Sequence, residues 1–481
     1  MNILFIYSRQ DYYSTDKPIQ NQEQIQFGIS YISSLLKQYG HNTKLFVITK
    51  KTKKYKLEKF LKDFLPSLIC FTAVYSEYRF IAEIAEYIKN RFPEIFLLIG
   101  GAHPSLNPVE CIKDSFDALC IGEGEYPTLE LVEQLQNGQE PSMISNLWIK
   151  HGDSLEKNST RPFLHHLDIL PPPDRKMWEG WIAEPEINSS VLVGRGCPFE
   201  CTYCCNHALK KIASGPYVRL RSPENILNEI EKIVNNYPGM KEIYLEVESI
   251  TLNRNFCIEL CSALEHFNST LESPLEFGTN IRIAKNIDFN EIFNLFKKCN
   301  FKFINIGVES GSERIRSQML KREYSNEDVI KVTKLARKYD LKICFFNLLG
   351  IPGETIEDFN QTIEINRQCL PDWHFLSIFF PYPGTELYNL SKDMGLLKEP
   401  FDTTMERNKA VLDLPGFNKK QIQKSYVWFD YNVYKGKKPL HKILPRVMVS
   451  KIKTNSELNY FYRILTSNTV LKQLKNSLKR Y

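Results

Sequence analysis

Short apolar runs and helical apolar periods alternate along the first part of the chain. Continuous apolar runs predict five strands, at residues 2–7, 42–48, 68–74, 96–99 and 118–121. Apolar positions that recur at helical spacing predict helices over 28–39 and 80–92. Because the strands are apolar nearly throughout, the pattern favours a parallel sheet whose two faces are both covered by helices. We therefore expect an α/β domain with a doubly wound parallel sheet over residues 1–138.

The same alternation returns between residues 189 and 400. Six apolar runs predict strands at 190–193, 242–247, 275–279, 303–308, 342–349 and 374–380. Helical periods lie between them at 223–237, 256–267, 289–299, 325–338 and 355–369. Repeats of this kind predict a partial (β/α)6 barrel, whose site lies at the carboxyl ends of its strands. A partial barrel also leaves one side open for a substrate.

Two further segments complete the predicted organisation. Residues 139–188 resemble a linker, with a small hairpin followed by the stiff proline run LPPPDR. Residues 401–481 predict a basic helical C-terminal extension, because nine Lys or Arg and one acid, Glu457, lie between His441 and Tyr481. Three interpretations of this tail stay open: a helical cap with a solvated charged face, an attachment surface for anionic lipid, and an RNA-contacting appendage.

The composition is that of an ordinary globular protein, with 43% hydrophobic and 25% charged residues among 481. A net charge of +6 is small for this length, so no nucleic-acid partner is expected. The first residues, MNILFIYSRQ, lack the basic start and cleavage site of a signal peptide, and no apolar stretch is long enough to span a membrane. Twelve scattered cysteines fit a reducing compartment, so we expect a cytoplasmic location.

One dense group of cysteines carries the chemistry. Residues 194–207 read GRGCPFECTYCCNH and place Cys197, Cys201 and Cys204 in a CxxxCxxC spacing. A 4Fe-4S cluster normally takes four thiolates, so three leave one iron open to a cofactor or substrate. A zinc ribbon would need two matched pairs of ligands, which this region does not offer. Cys205 is not expected to be a ligand, because adjacent residues in an extended loop point apart.

Two glycine-containing stretches follow predicted strands of the first domain. They are the Gly100-Gly101-Ala102-His103 and Gly122-Glu123-Gly124-Glu125 segments. Ligands of open parallel sheets bind beyond the carboxyl ends of the strands, and glycines there let a large ligand approach the backbone. The alternative is that both stretches are simply tight turns, and a lone His103 is a weak signal for a metal ligand.

The order of these features resembles a known family. A Tyr39-Gly40-His41 turn, the IGGAHPSLNP and IGEGEYPTLEL segments, an LPxPDR-like linker and the three-cysteine loop follow one another as in cobalamin-dependent radical S-adenosylmethionine (SAM) enzymes. The resemblance runs to about Leu390 and extends to the anaerobic magnesium-protoporphyrin monomethyl ester cyclase group. It implies that the first domain binds cobalamin through a set of loop residues: Gly100, Gly101, His103, Gly122, Glu123 and Gly124. The DxHxxG motif of other cobalamin proteins is missing, as it is in many members of this family.

The resemblance also implies a set of SAM contacts in the barrel. Cys197, Cys201 and Cys204 would ligate the cluster, and SAM would occupy the fourth iron. The residues expected around SAM are Tyr203 and Ile351 near the adenine, Glu309, Ser310 and Ser312 near the ribose and carboxylate, and Arg322 as a carboxylate clamp. The family's FxDDxF-type segment reads Leu245-Glu246-Val247-Glu248-Ser249-Ile250 here, so one acid is replaced by valine. Glu248 or Glu246 is expected to take the role of the other acid.

The function implied by the resemblance is reductive cleavage of SAM to a 5′-deoxyadenosyl radical, followed by cobalamin-dependent methylation of an unreactive carbon. Alternatives are a cyclisation or rearrangement, a tRNA methylthiotransferase, and a non-catalytic cofactor-binding regulator. A methylthiotransferase would need a second cysteine triad, and the contexts of Cys70, Cys111 and Cys120 do not match one. The expected partners are a small-molecule or lipid-like substrate, an electron donor of the flavodoxin or ferredoxin type, and, through the basic tail, a membrane surface.

Overall fold

A computed structural model of the chain describes residues 1–10, 17–284, 286–398, 403 and 405–467. The chain divides into two units. The first contains Met1–Pro185 and Cys205–Arg221, and the second contains Glu186–Cys204 and Ser222–Tyr462. The cysteine loop is therefore shared, since its three motif cysteines lie in the second unit while Cys205 begins a segment of the first.

A seven-stranded sheet forms the centre of the first unit. Its strands are β1 (Asn2–Ser8), β2 (Asn42–Ile48), β3 (Leu68–Thr72), β4 (Phe96–Gly100), β5 (Ala118–Cys120), β6 (Leu147–His151) and β7 (Ser154–Lys157). Its helices are α1 (Phe27–Gln38), α2 (Lys54–Phe64), α3 (Tyr75–Arg91), α4 (Ala102–Leu106), α5 (Pro108–Cys111), α6 (Glu125–Gln136) and α7 (Asn206–Leu209). Strand order is β2-β1-β3-β4-β5-β6-β7, and the first five strands are parallel. This order confirms the doubly wound sheet and puts its switch point between β1 and β3.

The interior strands are buried because their side chains are apolar on both faces. Leu4, Ile69 and Leu97 have no exposed surface and lie in one core with Phe71 and Phe116. Parallel strands covered by helices on both sides have this near-continuous apolar character. The apolar runs of the sequence therefore identified these strands correctly.

The predicted hairpin belongs to the sheet. β6 pairs antiparallel with β5, with Cys120 opposite Leu147, and β7 pairs with β6. β5 has only three residues, and without β6 its outer backbone groups would form an unpaired edge. The sheet is thus parallel over five strands and closes with an antiparallel pair, which the sequence pattern did not indicate.

The proline run also lies against the first unit. Ser34 donates a hydrogen bond to the Pro172 carbonyl at 2.6 Å, and Lys37 pairs with Asp174 at 2.6 Å. The indole of Trp178, which is fully buried, donates to the Ser30 hydroxyl at 2.8 Å. Residues expected to form a linker between domains are therefore fastened to α1.

Six parallel strands form the second unit's sheet. They are β8 (Asn188–Leu192), β11 (Glu242–Glu246), β12 (Glu276–Ile281), β13 (Phe301–Glu309), β14 (Lys342–Leu349) and β15 (Trp373–Ile378), and two short strands, β9 (Gly194–Arg195) and β10 (Arg219–Leu220), lie outside this sheet. The helices are α8 (Pro223–Asn236), α9 (Arg254–Ser269), α10 (Phe289–Lys298), α11 (Asn326–Lys338), α12 (Ile356–Cys369) and α13 (Glu386–Asp393). The order β15-β14-β13-β12-β11-β8, parallel throughout, confirms the partial (β/α)6 barrel.

Three helices follow the barrel, namely α14 (Lys419–Tyr434), α15 (Leu440–Lys453) and α16 (Ser456–Ser467). Ile422, Phe429 and Val433 of α14 share a core with barrel residues such as Phe359. The helical C-terminal extension is confirmed over these residues, whereas the last part of the predicted basic tail, 468–481, lies outside the described residues. No helix of the described chain is long and apolar enough to cross a membrane.

A buried carboxyl group holds the turn between β14 and α12. Glu354 Oε2 accepts hydrogen bonds from the backbone N–H groups of Gly350 and Ile351, at 2.5 and 3.2 Å. The Glu354 side chain is 1% exposed, and no hydrogen-bond partner lies within reach of Oε1 among the described residues. Burial raises the pKa of Glu354 to about 8, although the two backbone N–H groups oppose that shift. The group is therefore protonated at neutral pH.

The raised pKa predicts how stability depends on pH. Between about pH 5 and pH 8 an unfolded chain would carry an ionised Glu354, whose ordinary pKa is 4.5, while the folded chain keeps it protonated. The contribution of Glu354 to stability is thus fully present below that window and is lost as the pH rises through about 8. We expect Glu354→Gln to lose less stability than the wild type between pH 5 and pH 8, as measured by thermal unfolding at several pH values.

Glu357→Gln is the matched control, because Glu357 lies three residues further along the chain, in the first turn of α12, and its side chain is exposed. The control should keep the wild-type pH profile. Parallel profiles for Glu354→Gln and the wild type would contradict a protonated Glu354.

Candidate functional site

The three-cysteine loop begins directly after a buried strand. β8 ends at Leu192, and Gly196 adopts a φ of +82°, a left-handed conformation that favours glycine. Cys197 and Cys201 are 8% and 6% exposed, whereas Cys204 is partly exposed. The Cys204 N–H donates to the Cys201 carbonyl at 3.1 Å, so the last two motif cysteines share one tight turn. Strand, glycine turn and cysteines lie as the sequence pattern predicted.

An arginine from a distant strand end lies against this loop. Arg282 Nη1 donates to Cys201 Sγ at 3.0 Å, and its guanidinium lies 3.4 Å from the centroid of the Phe199 ring. Burial raises the pKa of the Cys197 thiol to about 11, while Arg282 acts in the opposite direction. A bound metal deprotonates a coordinating thiol outright, and a nearby guanidinium stabilises the thiolate that results. Sequence reasoning missed Arg282, because 81 residues separate it from Cys201.

The donor set fits a cluster better than a single ion. No three His, Cys, Asp or Glu side chains of the described chain converge as a mononuclear metal ion requires. A cubane cluster instead takes each thiolate on a different iron, so its ligands need not meet at one point. Cys205 is the N-cap residue of α7 and belongs to the first unit, unlike the three motif cysteines.

Three predicted SAM contacts form one buried network at the end of β13. Glu309 Oε1 accepts a hydrogen bond from the Tyr203 hydroxyl at 2.9 Å and pairs with Arg322 Nη2 at 3.2 Å. Arg322 also donates to the Gly307 carbonyl and to the Tyr324 hydroxyl. Glu309 and Arg322 are each 8% exposed. The network therefore joins the aromatic residue of the cysteine loop to the strand end.

The electrostatics of this network are those of a charged pair beside a neutral phenol. Burial raises the pKa of Tyr203 well above its ordinary value, so its hydroxyl stays protonated and donates. Burial alone would lower the pKa of Arg322, but its surroundings, which include the Glu309 carboxylate, raise it well above its ordinary value. Arg322 Nε is buried without a hydrogen-bond partner in the described part of the chain. An unpartnered guanidinium N–H is a suitable donor for a ligand carboxylate.

The two predicted serine contacts lie inside the turn that follows β13. Ser312 is 1% exposed, and its hydroxyl donates to Asp358 Oδ1 at 2.6 Å. Ser310 is fully buried, and its hydroxyl accepts from the Ser312 N–H at 3.2 Å. A side chain at Gly311 would lie 2.2 Å from the Gln361 carbonyl oxygen, so only glycine fits between this turn and α12. These hydroxyls shape the turn that carries Glu309.

The remaining predicted SAM residues lie at neighbouring strand ends. Ile351 is fully buried in the turn that Glu354 holds after β14. Glu248 is exposed just after β11, and its charge raises the pKa of Cys197 in addition to the effect of burial. Glu246, the last residue of β11, is also exposed. Four strands of the barrel thus bring candidate residues to one edge, as parallel strands require.

In the first unit, the two glycine stretches lie at the carboxyl ends of β4 and β5. Gly101 has a φ of +101°, and a Cβ there would lie 2.8 Å from the Ala73 carbonyl oxygen. The Ala73 N–H in turn donates to the Gly100 carbonyl at 3.0 Å. The ends of β3 and β4 therefore approach each other so closely that a side chain at position 101 is excluded.

His103 is buried next to these glycines. It is 3% exposed, and its ring makes edge contacts with Tyr75 and Tyr78, at 5.0 and 4.7 Å between ring centroids. Asn107 Nδ2 lies 3.2 Å from His103 Nδ1, and His103 Nε2 is buried without a partner in the described residues. Burial lowers the pKa of His103 to about 4, and Arg79 adds to the effect. The ring is therefore neutral at neutral pH.

Glu123, in the second stretch, is part of a buried ion pair. Arg219 Nη1 lies 2.9 Å from its Oε1, and the Leu164 N–H donates to its Oε2 at 2.9 Å. Gly122 has a φ of +86° and donates its N–H to the Ser105 hydroxyl at 3.0 Å. Gly124 is the N-cap residue of α6. The sequence indicated the glycine turn but not the ion pair, which joins segments 96 residues apart.

Two family models match the chain, one in each region. The B12 binding domain matches residues 21–132, and the Radical SAM superfamily matches residues 191–365. The first range contains both glycine stretches. The second contains the three-cysteine loop, the Glu309 turn and the turn held by Glu354.

Two curated proteins are similar to this chain over most of its length. An uncharacterized methyltransferase of Pyrococcus horikoshii is 26% identical over 407 residues, covering 82% of this chain and 85% of that protein. The anaerobic magnesium-protoporphyrin IX monomethyl ester cyclase of Cereibacter sphaeroides is 23% identical over 376 residues, covering 76% of this chain and 60% of that protein.

A solved structure shares the fold. OxsB, described as a cobalamin-dependent SAM radical enzyme with aqua-cobalamin and SAM bound, has a TM-score of 0.69 at 15% identity, covering 100% of this chain and 75% of OxsB. The chain therefore carries a B12-binding domain and a radical SAM domain, and the cofactors of these domains are cobalamin and a 4Fe-4S cluster with SAM.

Proposed function

We propose that this protein is a cobalamin-dependent radical SAM methylase acting on an unactivated carbon of a small molecule. The observation that carries the proposal is the buried Tyr203–Glu309–Arg322 network, which ties the three-cysteine loop to the end of β13. When bound, the reduced cluster and SAM supply a 5′-deoxyadenosyl radical, and cobalamin supplies the methyl group. The chain's own residues bind and orient these groups.

The residues in and around the cysteine loop have distinct roles in the proposed function. Cys197, Cys201 and Cys204 hold the cluster, and Arg282 stabilises the Cys201 thiolate through the hydrogen bond to its sulfur. Arg322 directs its unpartnered Nε–H to the SAM carboxylate, and Glu309 accepts from the ribose hydroxyls. Tyr203 keeps Glu309 in position for that contact.

Other SAM residues act through the backbone turns they occupy. Ser310 and Ser312 fix the turn behind Glu309, since their hydroxyls are bonded within the protein. Ile351 offers a rigid apolar surface near the adenine. Glu248, exposed beside the loop, takes the place of one acid of the family's aspartate pair, and Val247 stands in place of the other.

In our proposal the first unit binds cobalamin through close contact with its main chain, and no protein side chain serves as a ligand of the cobalt. Gly101 lets the ends of β3 and β4 approach each other closely, and Gly100 and Gly122 place main chain without side chains at the ends of β4 and β5, where a large flat ligand would lie. Gly124 begins α6 beside them, and Glu123 is held by Arg219. His103 forms part of the wall, because its ring is buried between two tyrosines and engaged by Asn107.

Two alternative functions would also use the cluster and SAM. A cyclisation or rearrangement would need the same cluster, SAM and cobalamin, and similarity to a magnesium-protoporphyrin ester cyclase supports keeping it. A methylthiotransferase is disfavoured, because the sequence contexts of Cys70, Cys111 and Cys120 do not match a second cysteine triad and all three side chains are buried. Burial raises the pKa values of Cys111 and Cys120 to about 12.

The proposal requires two further partners and a reducing location. Cleavage of SAM consumes one electron, so an electron donor of the flavodoxin or ferredoxin type must supply it. None of the twelve cysteines forms a disulfide in the described chain, which supports a reducing compartment such as the cytoplasm. The substrate is a small or lipid-like molecule with an unreactive carbon.

The roles of the four neighbouring cysteines predict different iron contents. Replacing Cys197, Cys201 and Cys204 together with alanine should abolish the cluster, whereas Cys205→Ala should retain about four irons per chain after anaerobic reconstitution. Iron and sulfide analysis with the cluster's visible absorbance measures both. Loss of the cluster in Cys205→Ala would contradict the three-cysteine assignment.

The role of Glu309 predicts a specific loss of SAM affinity. Glu309→Gln should keep the cluster but weaken SAM binding about ten- to hundredfold, because hydrogen bonds to a charged acceptor contribute about 1.5–3 kcal/mol. Equilibrium binding of SAM to the reconstituted protein measures the change. Glu327→Gln is the control, since Glu327 is 74% exposed and pairs only with Lys331 among the contacts described for it. Equal affinities in the two variants would contradict the assignment.

The position of Gly101, directly after β4, predicts that its substitution lowers the cobalamin content of the protein. Gly101→Ala should lower cobalamin affinity about tenfold or more, because its Cβ would displace the ends of β3 and β4. Gly138→Ala is the matched control: Gly138 also has a positive φ, of +67°, but a Cβ there meets no neighbouring atom within 4 Å. Cobalamin in anaerobically purified protein is measured by its absorbance. Equal contents in both variants would contradict a site at this strand end.

A further inference from the structure

The helix α15 exposes a row of large apolar side chains. Leu440, Leu444 and Met448 are 55%, 42% and 65% exposed and follow one another at four-residue spacing. Side chains four apart lie on the same side of a helix, so these three form a stripe, called here the α15 stripe. The helix contacts the protein through other positions, Ile443 and Val447, which are 1% and 6% exposed and belong to the core shared with α14.

The α15 stripe continues into a broad apolar face. At about 100° per residue, Pro445, Val449 and Ile452 fall beside the stripe on the side away from the buried positions. Pro445 is exposed, while Val449 and Ile452 are partly exposed. Only about a fifth of the helix circumference, near Ile443 and Val447, faces the protein core. An ordinary packed helix would bury its leucines, whereas α15 leaves both of its leucines, Leu440 and Leu444, exposed.

Cations border this face and acids are missing from the surrounding sequence. Between Tyr431 and Ser456 the chain has seven Lys or Arg residues and no Asp or Glu. By the same helical geometry, Lys442 and Lys453 lie at the far edge of the broad apolar face, next to Val449, and Lys451 falls within the sector of the stripe itself. All three side chains are exposed. Not every cation faces outward, because Arg446 pairs with Asp430 at 3.3 Å.

The next helix has the same character. In α16, Leu458 and Phe461 are 50% and 61% exposed, and Tyr460 is 42% exposed. Asn459, between them, is 7% exposed and marks the side of α16 that faces the protein. Two consecutive helices therefore leave apolar side chains uncovered.

The charge pattern distinguishes among possible occupants of the α15 stripe. A second copy of this chain, packed symmetrically, would bring two all-cation segments together, which is repulsive. Single-stranded RNA would be bound by stacking on aromatic rings, and the stripe consists of leucine and methionine. An anionic bilayer offers both an apolar interior for the stripe and phosphate groups for its lysine borders.

We propose that α15 is a peripheral docking element for an anionic phospholipid surface. Leu440, Leu444 and Met448 enter the boundary between headgroups and acyl chains, and Lys442, Lys451 and Lys453 contact lipid phosphates. The helix lies in the plane of the surface, because its apolar face runs along its length. Docking of this kind would hold the enzyme where apolar substrates accumulate.

Vesicle flotation with the full cluster-loaded chain tests the proposal. We expect binding to phosphatidylcholine vesicles that contain phosphatidylglycerol, much weaker binding to pure phosphatidylcholine, and release as salt is raised. The double variant Leu444→Gln/Met448→Gln should lower the partition coefficient about tenfold or more. Both side chains are exposed, so iron content and the unfolding temperature should stay unchanged.

The matched control is Met143→Gln/Ile169→Gln, which removes two side chains that are 85% and 58% exposed outside the C-terminal helices. It should bind vesicles as the wild type does. The proposal is overturned by three results: no binding of the wild type to anionic vesicles, equal binding to neutral vesicles, or equal loss in both double variants. Concentration-dependent dimerisation that depends on Leu444 and Met448, without vesicle binding, would also overturn it in favour of a second copy. Vesicle binding requires no SAM, so failure here would leave the proposed reaction standing.

Discussion

The end of the barrel that carries the candidate site depends on a buried ion pair between Arg322 and Glu309. Both side chains are almost entirely removed from solvent, and leaving one of them unpaired would cost about 3–5 kcal/mol. Glu309 has a φ of +60°, a strained value for a residue with a side chain, so the pair holds the strand end in a conformation it would otherwise avoid. A Cβ at Gly307 would lie 2.5 Å from Glu309 Oε1, which explains the glycine there. The hydrogen bond from Tyr203 then makes the position of the cysteine loop depend on the same pair.

Further contacts make the strand ends behind this pair rigid. Asp358 caps α12 together with Thr355 and also receives the Ser312 hydroxyl and Arg314. One carboxylate thereby joins the turn after β13 to the start of α12. The Glu354 carboxyl group performs a similar task for the turn after β14, in its protonated form. A radical enzyme must hold its reacting groups in place and keep water out, and buried polar contacts of this kind supply the rigidity.

Most of the fold could be predicted from the sequence because its signals are local. Continuous apolar runs identify strands buried on both faces, and the CxxxCxxC spacing identifies the cluster loop. Contacts between distant residues had no such signal. The antiparallel hairpin completes the edge of β5, Arg282 reaches Cys201 across 81 residues, and Arg219 engages Glu123 across 96. The exposure of the α15 stripe could not be predicted for a different reason. Leucines at four-residue spacing normally indicate a buried face, and only the structure shows that Ile443 and Val447 form the buried face of α15.

The central claim is that three cysteines and one buried network prepare SAM for reductive cleavage. The most direct measurement is 5′-deoxyadenosine formation by the anaerobically reconstituted protein after addition of SAM and a low-potential reductant. The account predicts that the wild type forms 5′-deoxyadenosine together with methionine, and that the variant without Cys197, Cys201 and Cys204 forms neither. A reduced wild-type protein that carries its cluster, binds SAM and leaves it uncleaved would contradict the account.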